Sequence, residues 1–230
     1  MKKLVTAFAL CAAISAMAVE SENIVGYVNV SLPQGQCFTV PAFNSVGGDG
    51  TSSKLRDITP IGWEAANNDS AQLIDASGEP IQQIYYWPLD GGWFDLDDND
   101  VNDQIITTGT GMIVDSLFED TSFMMAGEVA MKPYDLELAD PGVYFIGNPL
   151  PRTLTLSEII PSNWEAANND SAQLIDASGE PIQQIYYWPL DGGWFDLDDN
   201  DVNEQVLPIG AGMIIDSSLS DVAFSFPAAI

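Results

Sequence analysis

The chain has 230 residues, length for about two domains, and sets 34 acidic side chains against 6 basic ones, a formal net charge of −28 with no histidine. Charge of that sign repels nucleic-acid phosphates and anionic lipid headgroups, and the missing imidazole removes Ser-His, Cys-His and His-metal chemistry. A hydrophobic content of 46% is enough to bury a core, so the acidity does not imply disorder.

The first 18 residues read as a secretory leader. Lys2 and Lys3 precede the apolar run Leu4 to Ile14, which ends at the small-residue site Ala16-Met17-Ala18. That run is shorter than the about 20 residues a membrane span needs. Phe8-Ala9-Leu10 before Cys11 argues against a lipoprotein cleavage site. With the leader removed, Cys37 is the single thiol, so stability rests on packing rather than a disulfide. The expectation is an exported protein, secreted or at a bacterial cell surface, with no nucleic-acid partner and no insertion into the membrane.

Val28, Val30 and Leu32 alternate with polar residues, the period of a half-buried strand. Ser53 to Thr59 reads as a short helical turn before Pro60, and its counterpart Thr155-Leu-Ser-Glu158 is a capping box stopped by Pro161. Ala71 to Asp75 and Ile81 to Trp87 flank Ser77-Gly78-Glu79-Pro80 as a hairpin. Asp90-Gly91-Gly92 then turns the chain into Trp93-Phe94-Asp95-Leu96. Gly109-Thr-Gly111 leads into Met112 to Val114, and Phe123 to Met125 closes the unit. Six or seven short strands and one helical turn per unit define an all-β fold of two tandem small β-sandwich-like units, 19–130 and 131–230.

The division rests on a repeat. Trp63 to Asn102 and Trp164 to Asn203 are identical over 40 residues at an offset of 101. The flanks diverge but stay aligned: Gly109, Gly111, Met112 and Asp115 match Gly210, Gly212, Met213 and Asp216. Further upstream the offset becomes 107, with Tyr27, Gly35 and Phe38 facing Tyr134, Gly142 and Phe145. The length change falls on the Gly-rich stretch Asn44 to Ser53, where a surface loop tolerates insertion. A recent duplication of this DNA segment and retention of a shared function both account for the identity.

The second unit reads Gly142-Val-Tyr-Phe-Ile-Gly-Asn-Pro149, then Ile185-Tyr-Tyr-Trp188, Gly193-Trp194 and Gly210-Ala-Gly212-Met-Ile-Ile. It resembles the small β-rich modules of secreted bacterial proteins, whose pattern runs G-W-x-L-x-G-N-P, Y-x-W-D and P-G-x-G-F. The stretch Asn23-Ile-Val-Gly-Tyr-Val-Asn-Val30 is similar to the start of many exported proteins of Gram-negative bacteria. The resemblance implies a β-sandwich module and no particular activity. The first unit departs from it at Thr39-Val-Pro-Ala42, where Gly-Asn-Pro is missing, and both units carry Met112 or Met213 where the pattern has an aromatic.

Two constellations inside the repeat carry chemistry. Asp95, Asp97, Asn99 and Asp103, with Asp196, Asp198, Asn200 and Glu204 in the second copy, imitate the start of an EF-hand loop and form a candidate Ca²⁺ site. The pattern then fails, with Asp100 where the loop needs Gly and Ile106 or Leu207 where it needs Glu, and a solvated acidic turn accounts for the same residues. Among the aromatics, Trp87, Trp93 and Tyr85, with Trp188, Trp194 and Tyr186, are a candidate ligand platform beside Gln82, Gln83 and Asp90. Tyr85 and Trp87 share one strand face and Tyr86 takes the other, so core packing and a partner interface are the competing readings.

No nucleophile motif, phosphate loop or dinucleotide fingerprint occurs, and with 34 acids a pair of carboxylates at glycosidase spacing carries no signal. The expectation is a non-catalytic extracellular structural or adhesive protein, possible oligomer included, with an extracellular protein or a glycan as partner. The alternative is a two-site carbohydrate-binding protein, with Ca²⁺ as the one candidate cofactor.

Overall fold

The computed structural model describes residues 25–47, 50, 52–75, 80–175 and 181–230. The leader, Asn23-Ile24, Gly48-Asp49 and the hairpin turn Ser77-Gly78-Glu79 lie outside the described residues. What is described is strand and loop, with four isolated 3-10 turns. The all-β expectation holds, in two similar halves.

The first half runs β1 (Val25–Leu32), β2 (Gly35–Thr39), β3 (Ser52–Lys54), β4 (Ile58–Ile61), β5 (Ser70–Ile74), β6 (Pro80–Trp87), β7 (Gly92–Asp95), β8 (Ile105–Thr107), β9 (Met112–Ser116) and β10 (Thr121–Glu128). The second repeats it as β11 (Tyr134–Leu138), β12 (Gly142–Gly147), β13 (Leu154–Thr155), β14 (Ile160–Ser162), β15 (Ser171–Ile175), β16 (Pro181–Trp188), β17 (Gly193–Asp196), β18 (Val206–Leu207), β19 (Gly212–Ser217) and β20 (Val222–Phe226). Ten strands per half replace the expected six or seven. Most of the additional ones, β3, β4 and β8 with β13, β14 and β18, span two to four residues, too short to display a period.

Every pairing is antiparallel. A three-stranded sheet, β1-β10-β4, faces a five-stranded one, β2-β9-β5-β6-β7, with the small pair β3-β8 beside them. The second half repeats this order as β11-β20-β14, β12-β19-β15-β16-β17 and β13-β18. Pro60 and Pro161 sit in β4 and β14, each an edge of its sheet, where a missing N–H costs no ladder bond. They follow the 3-10 turns Leu55–Asp57 and Leu156–Glu158, the second held by the Thr155 amide on Glu158 Oε2 at 2.9 Å. A second turn in each half, Ala65–Asn67 or Ala166–Asn168, corrects the expected count of one. It closes on a left-handed Asn68 or Asn169, a signal too local for periodicity to reveal.

Between the sheets lies the core. Trp63, Trp93 and Phe123 meet with ring centroids 5.3–5.8 Å apart, and Trp164, Trp194 and Phe224 repeat the cluster. Each buried indole finds an acceptor. Trp63 Nε1 donates to the Asp115 carbonyl at 3.1 Å and Trp93 Nε1 to the Ile58 carbonyl at 2.9 Å, with the same bonds from Trp164 and Trp194. Such rings bury the largest apolar areas available to a small sandwich.

Register corrects one upstream correspondence. Val30 pairs with Phe123, and Leu136 pairs with Phe224, so Val28 rather than Tyr27 is the counterpart of Tyr134. Because strand side chains alternate, the one-residue shift decides burial: Tyr27 is 77% exposed, whereas Tyr134 stacks on Phe226 at 5.2 Å. The Pro33-Gln34 link is one residue shorter than Ala139-Asp140-Pro141 and absorbs the difference, which restores the match of Gly35 and Phe38 with Gly142 and Phe145.

Asn148 of the Gly-Asn-Pro motif is fully buried. Its Nδ2 reaches the carbonyls of Arg152, Leu207 and Pro208, and its Oδ1 accepts from the Leu150 amide at 2.9 Å. The first half, lacking that motif, ties its longer loop with Asn44, which bonds the Gly50 carbonyl and the Thr108 hydroxyl.

The halves touch through the outer faces of their five-stranded sheets. Phe38, Val40 and Ile74 pack with Ile175, Phe145 and Ile214, and two backbone bonds cross reciprocally: Val40 N to Gly210 O at 3.3 Å and Gly147 N to Gly109 O at 3.0 Å.

Candidate functional site

The outer face of each five-stranded sheet leads from this contact to the candidate residues. Phe38, Ile113, Gln72 and Gln83 are successive register partners, forming one row across the sheet. The next row on the same face pairs Tyr85 with Phe94, because side chains two apart on a strand point the same way. The other half covers the Phe38 end of the face. The Tyr85 end stays open.

Tyr85 and Phe94 stack with centroids 5.9 Å apart at 24°, and Tyr186 with Phe195 repeats the geometry. Together with Ala65, Trp87, Asp90 and Asp98 they line a solvent-open cavity of about 540 Å³. The matching residues Ala166, Tyr186, Trp188, Asp191, Phe195 and Asp199 line one of about 400 Å³. The chain therefore presents the same pocket twice.

Trp93 and Trp194 do not belong to it. Each is fully buried on the opposite face, against Tyr86 or Tyr187, and is a core residue rather than a platform residue. The flat partner of Tyr85 is Phe94, and that of Tyr186 is Phe195. The alternation that separates Tyr85 from Tyr86 also separates Phe94 from Trp93, and register carries it across the hairpin. Of the candidate platform, Tyr85, Trp87, Tyr186 and Trp188 are brought together; all four are half-buried.

The acidic loop that follows β7 folds back onto that strand. The Asp95 amide donates to the Asn99 carbonyl at 3.1 Å, Phe94 bridges Asp100, and the Val101 amide reaches the Trp93 carbonyl at 2.9 Å. The loop thus pairs the outer edge of the sheet, which would otherwise offer free backbone groups to another chain. Asp95 is its knot. Oδ1 accepts from the amides of Asp97 and Asn99, both at 2.9 Å, and Oδ2 accepts from Asn99 Nδ2 at 3.0 Å and Gln82 Nε2 at 3.3 Å. These donors, the Asn99 side chain foremost, hold its carboxyl below the usual aspartate range, and Asn200 does the same for Asp196.

Asp103 turns away from the knot, toward Lys54 and Arg56, which also hold it below the ordinary range, the Lys54 hydrogen bond contributing most. In the second half Thr155 and Ser157 replace those bases beside Glu204. Among the described residues no group of three or more His, Cys, Asp or Glu side chains is gathered as a metal site.

Another loop carboxylate, Asp98, lines the pocket. Asp98 sits in the left-handed region at φ 62°, its amide bonded to the Asp95 carbonyl at 3.1 Å, and accepts the Tyr85 hydroxyl hydrogen bond. That bond, ahead of burial and the charge of Asp95, pushes the Tyr85 phenol up to about 12; Asp199 does so for Tyr186.

Sequence reading did not single out the buried Asp69 and Asp170. Asp69 accepts from the Glu64 amide at 2.9 Å and the Leu117 amide at 2.7 Å, fixing the turn that carries Ala65 against β6. Its signal lay in Asn68-Asp69-Ser70, a turn sequence that also fits a glycosylation sequon. Set against family models, curated proteins and solved structures, the chain matches none.

Proposed function

We propose that this chain is a non-catalytic, secreted adhesive protein that holds an extracellular partner at two equal sites, the Tyr85-Trp87-Phe94 and Tyr186-Trp188-Phe195 pockets. The single observation behind this reading is that two halves with diverged flanks keep the same open aromatic pocket. The turn beside each pocket adds an unburied leucine, Leu89 or Leu190, each 88% exposed. Open apolar surface of that kind marks contact sites. A non-catalytic role accords with the groups whose protonation is displaced. The Cys37 thiol and the two phenols move up to about 12 and Asp95 and Asp196 move down, all away from neutrality, where acid-base catalysts work.

Two sites on one chain gain from avidity when the partner reaches both. Protein-coated beads on surfaces bearing bacterial polysaccharide or matrix protein test this. Trp87→Ala or Trp188→Ala alone is expected to weaken retention, and the double variant to lose it by about 100-fold or more. Retention unchanged in the double variant removes the reading. The flat Tyr85–Phe94 pair, with Gln83 in the neighbouring row, favours a carbohydrate as the second reading, since such faces stack on sugar rings; loss of bead retention on competition by methyl glycosides supports it.

A further inference from the structure

We infer that each pocket is a receptor for an alkylammonium cation, seated against the rings of Tyr85, Trp87 and Phe94 with Asp90 and Asp98 as counter-charges, and against their counterparts in the second half. The inference rests on the two-site binding reading and names its ligand class. The polar lining carries it. Asp90 and Asp98 bring carboxylate oxygens, which only accept hydrogen bonds. The Tyr85 hydroxyl, the natural donor, is already spent on Asp98. The Trp87 indole N–H is then the one side-chain donor left against three unengaged carboxylate oxygens.

A sugar hydroxyl network needs donors and acceptors in balance; an alkylammonium group needs negative charge and π faces alone. Three electron-rich rings and two carboxylates around one open space supply those. A phenol that donates to a carboxylate is polarised toward the phenolate, which makes its ring face more negative. The hydroxyl keeps its proton across the physiological range, as any phenol near 10 does, and that bond moves it further up, to about 12. Asp98 is in turn aimed by the Asp95-Asn99 knot, so the acidic loop and the aromatic pocket work as one device. With −28 charges on the chain, the surrounding field also concentrates cations.

Indole N–H resonances of the whole chain report the test directly. Trp63, Trp93, Trp164 and Trp194 are core residues bonded to carbonyls, so only the Trp87 and Trp188 signals should answer a pocket ligand. Tetramethylammonium chloride is expected to move those two saturably at millimolar concentration. Its neutral analogue tert-butanol, sodium chloride and methyl glucoside at matched concentration are expected to leave them in place. Asp90→Asn with Asp98→Asn should weaken the response about tenfold, with the four core signals certifying the fold.

Equal movement with tert-butanol, or with sodium chloride, overturns the cation assignment. Movement with methyl glucoside and none with tetramethylammonium also overturns it while leaving the two-site reading standing. Silence of both signals toward all four probes, in a protein whose bead retention still depends on Trp87 and Trp188, overturns the cation class alone; loss of that dependence overturns the binding reading as well.

Discussion

Single side chains here are held by bonds that leave measurable marks. Burial, with a smaller contribution from Asp115, pushes the Cys37 thiol up to about 12. The native chain should therefore react with Ellman's reagent about a thousandfold more slowly than an ordinary cysteine at mildly alkaline pH, and at full rate in concentrated guanidinium. Asp69 offers a thermodynamic mark. Asp69→Ala strips the acceptor from the Glu64 and Leu117 amides, and chemical denaturation should show a loss of about 1–3 kcal/mol, with Asp170→Ala giving a similar loss in the other half. The phenols supply a third. Tyr85 and Tyr186 are raised by their bonds to Asp98 and Asp199, so folding favours the protonated ring. That contribution is fully present below the ordinary phenol value of 10 and fades as pH rises through about 12. Ultraviolet titration should find these two half-buried tyrosines ionising near 12, and Asp98→Asn should return Tyr85 toward 10. The platform was half legible in the residues alone. Alternation along β6 sorts Tyr85 and Trp87 from Tyr86 without coordinates. It does not say which of Trp93 and Phe94 lies opposite Tyr85, because that depends on hairpin register, and the turn Ser77-Gly78-Glu79 does not set the β6–β7 register.

At the scale of elements, the acidic loop reads most simply as an edge cover. A carboxylate whose value is lowered on folding adds stability above its ordinary value, 3.8 for Asp95, and gives it up as pH falls through the lowered one. Acidification through that window should release the knot from β7 and β17. Asn99→Ala with Asn200→Ala should do the same at neutral pH. Hydrogen exchange of the Val101 and Val202 amides, bonded to the Trp93 and Trp194 carbonyls, is expected to quicken while the core amides stay protected. Unchanged exchange there would mean the knot does not hold the edge. Gly92 adds a steric condition. A Cβ on it would lie 2.6 Å from Asn102 Nδ2, and Asn102 Oδ1 takes the Trp93 amide at 3.0 Å, so Gly92→Ala should loosen the same edge. Which elements were legible follows from their length. Val28 to Leu32 and Ile81 to Trp87 each run through several periods, and a capping box announces the turn at Thr155. Strands such as β3 and β18 exist because their partners hold them, and β4 carries a proline that alone would argue against it. Their signal is tertiary, absent from any local window.

The whole molecule couples its halves through a cluster around Phe38 and Phe145, whose rings lie 5.7 Å apart, two reciprocal backbone bonds, and Ile209 of the second half packed against the first half's core. Close approach is required there, since a Cβ on Gly147 would sit 2.3 Å from Val40 Cγ2. The halves are not equally packed. Register sets Cys37 opposite Val114 as Tyr144 is set opposite Ile215, and Thr39 where the second half has Ile146. The smaller pair borders an open cleft of about 300 Å³ between the halves, lined from the second half by Thr153, Pro208, Ile209, Gly210 and Ala211, and the Thr39 hydroxyl has no hydrogen-bond partner among the described residues. Smaller side chains at matched positions bury less apolar surface and contribute less stability. The first half is therefore the weaker one, and its melting is tied to the second by the shared cluster, the two backbone bonds and the packing of Ile209 against its core. In Phe38→Ala with Phe145→Ala each truncation removes a large part of that cluster, at a cost of the order of 3–5 kcal/mol for the buried Phe38 and less for the half-buried Phe145. Calorimetry should show one transition for the native chain and two for the double variant, the lower belonging to the first half. Exchange protection of the Trp63 and Trp164 indoles assigns them, with Trp63 expected to open first. Two transitions already in the native chain would show that the contact does not couple the halves; one unbroken transition in the variant would show that something other than the Phe38 cluster carries the cooperativity.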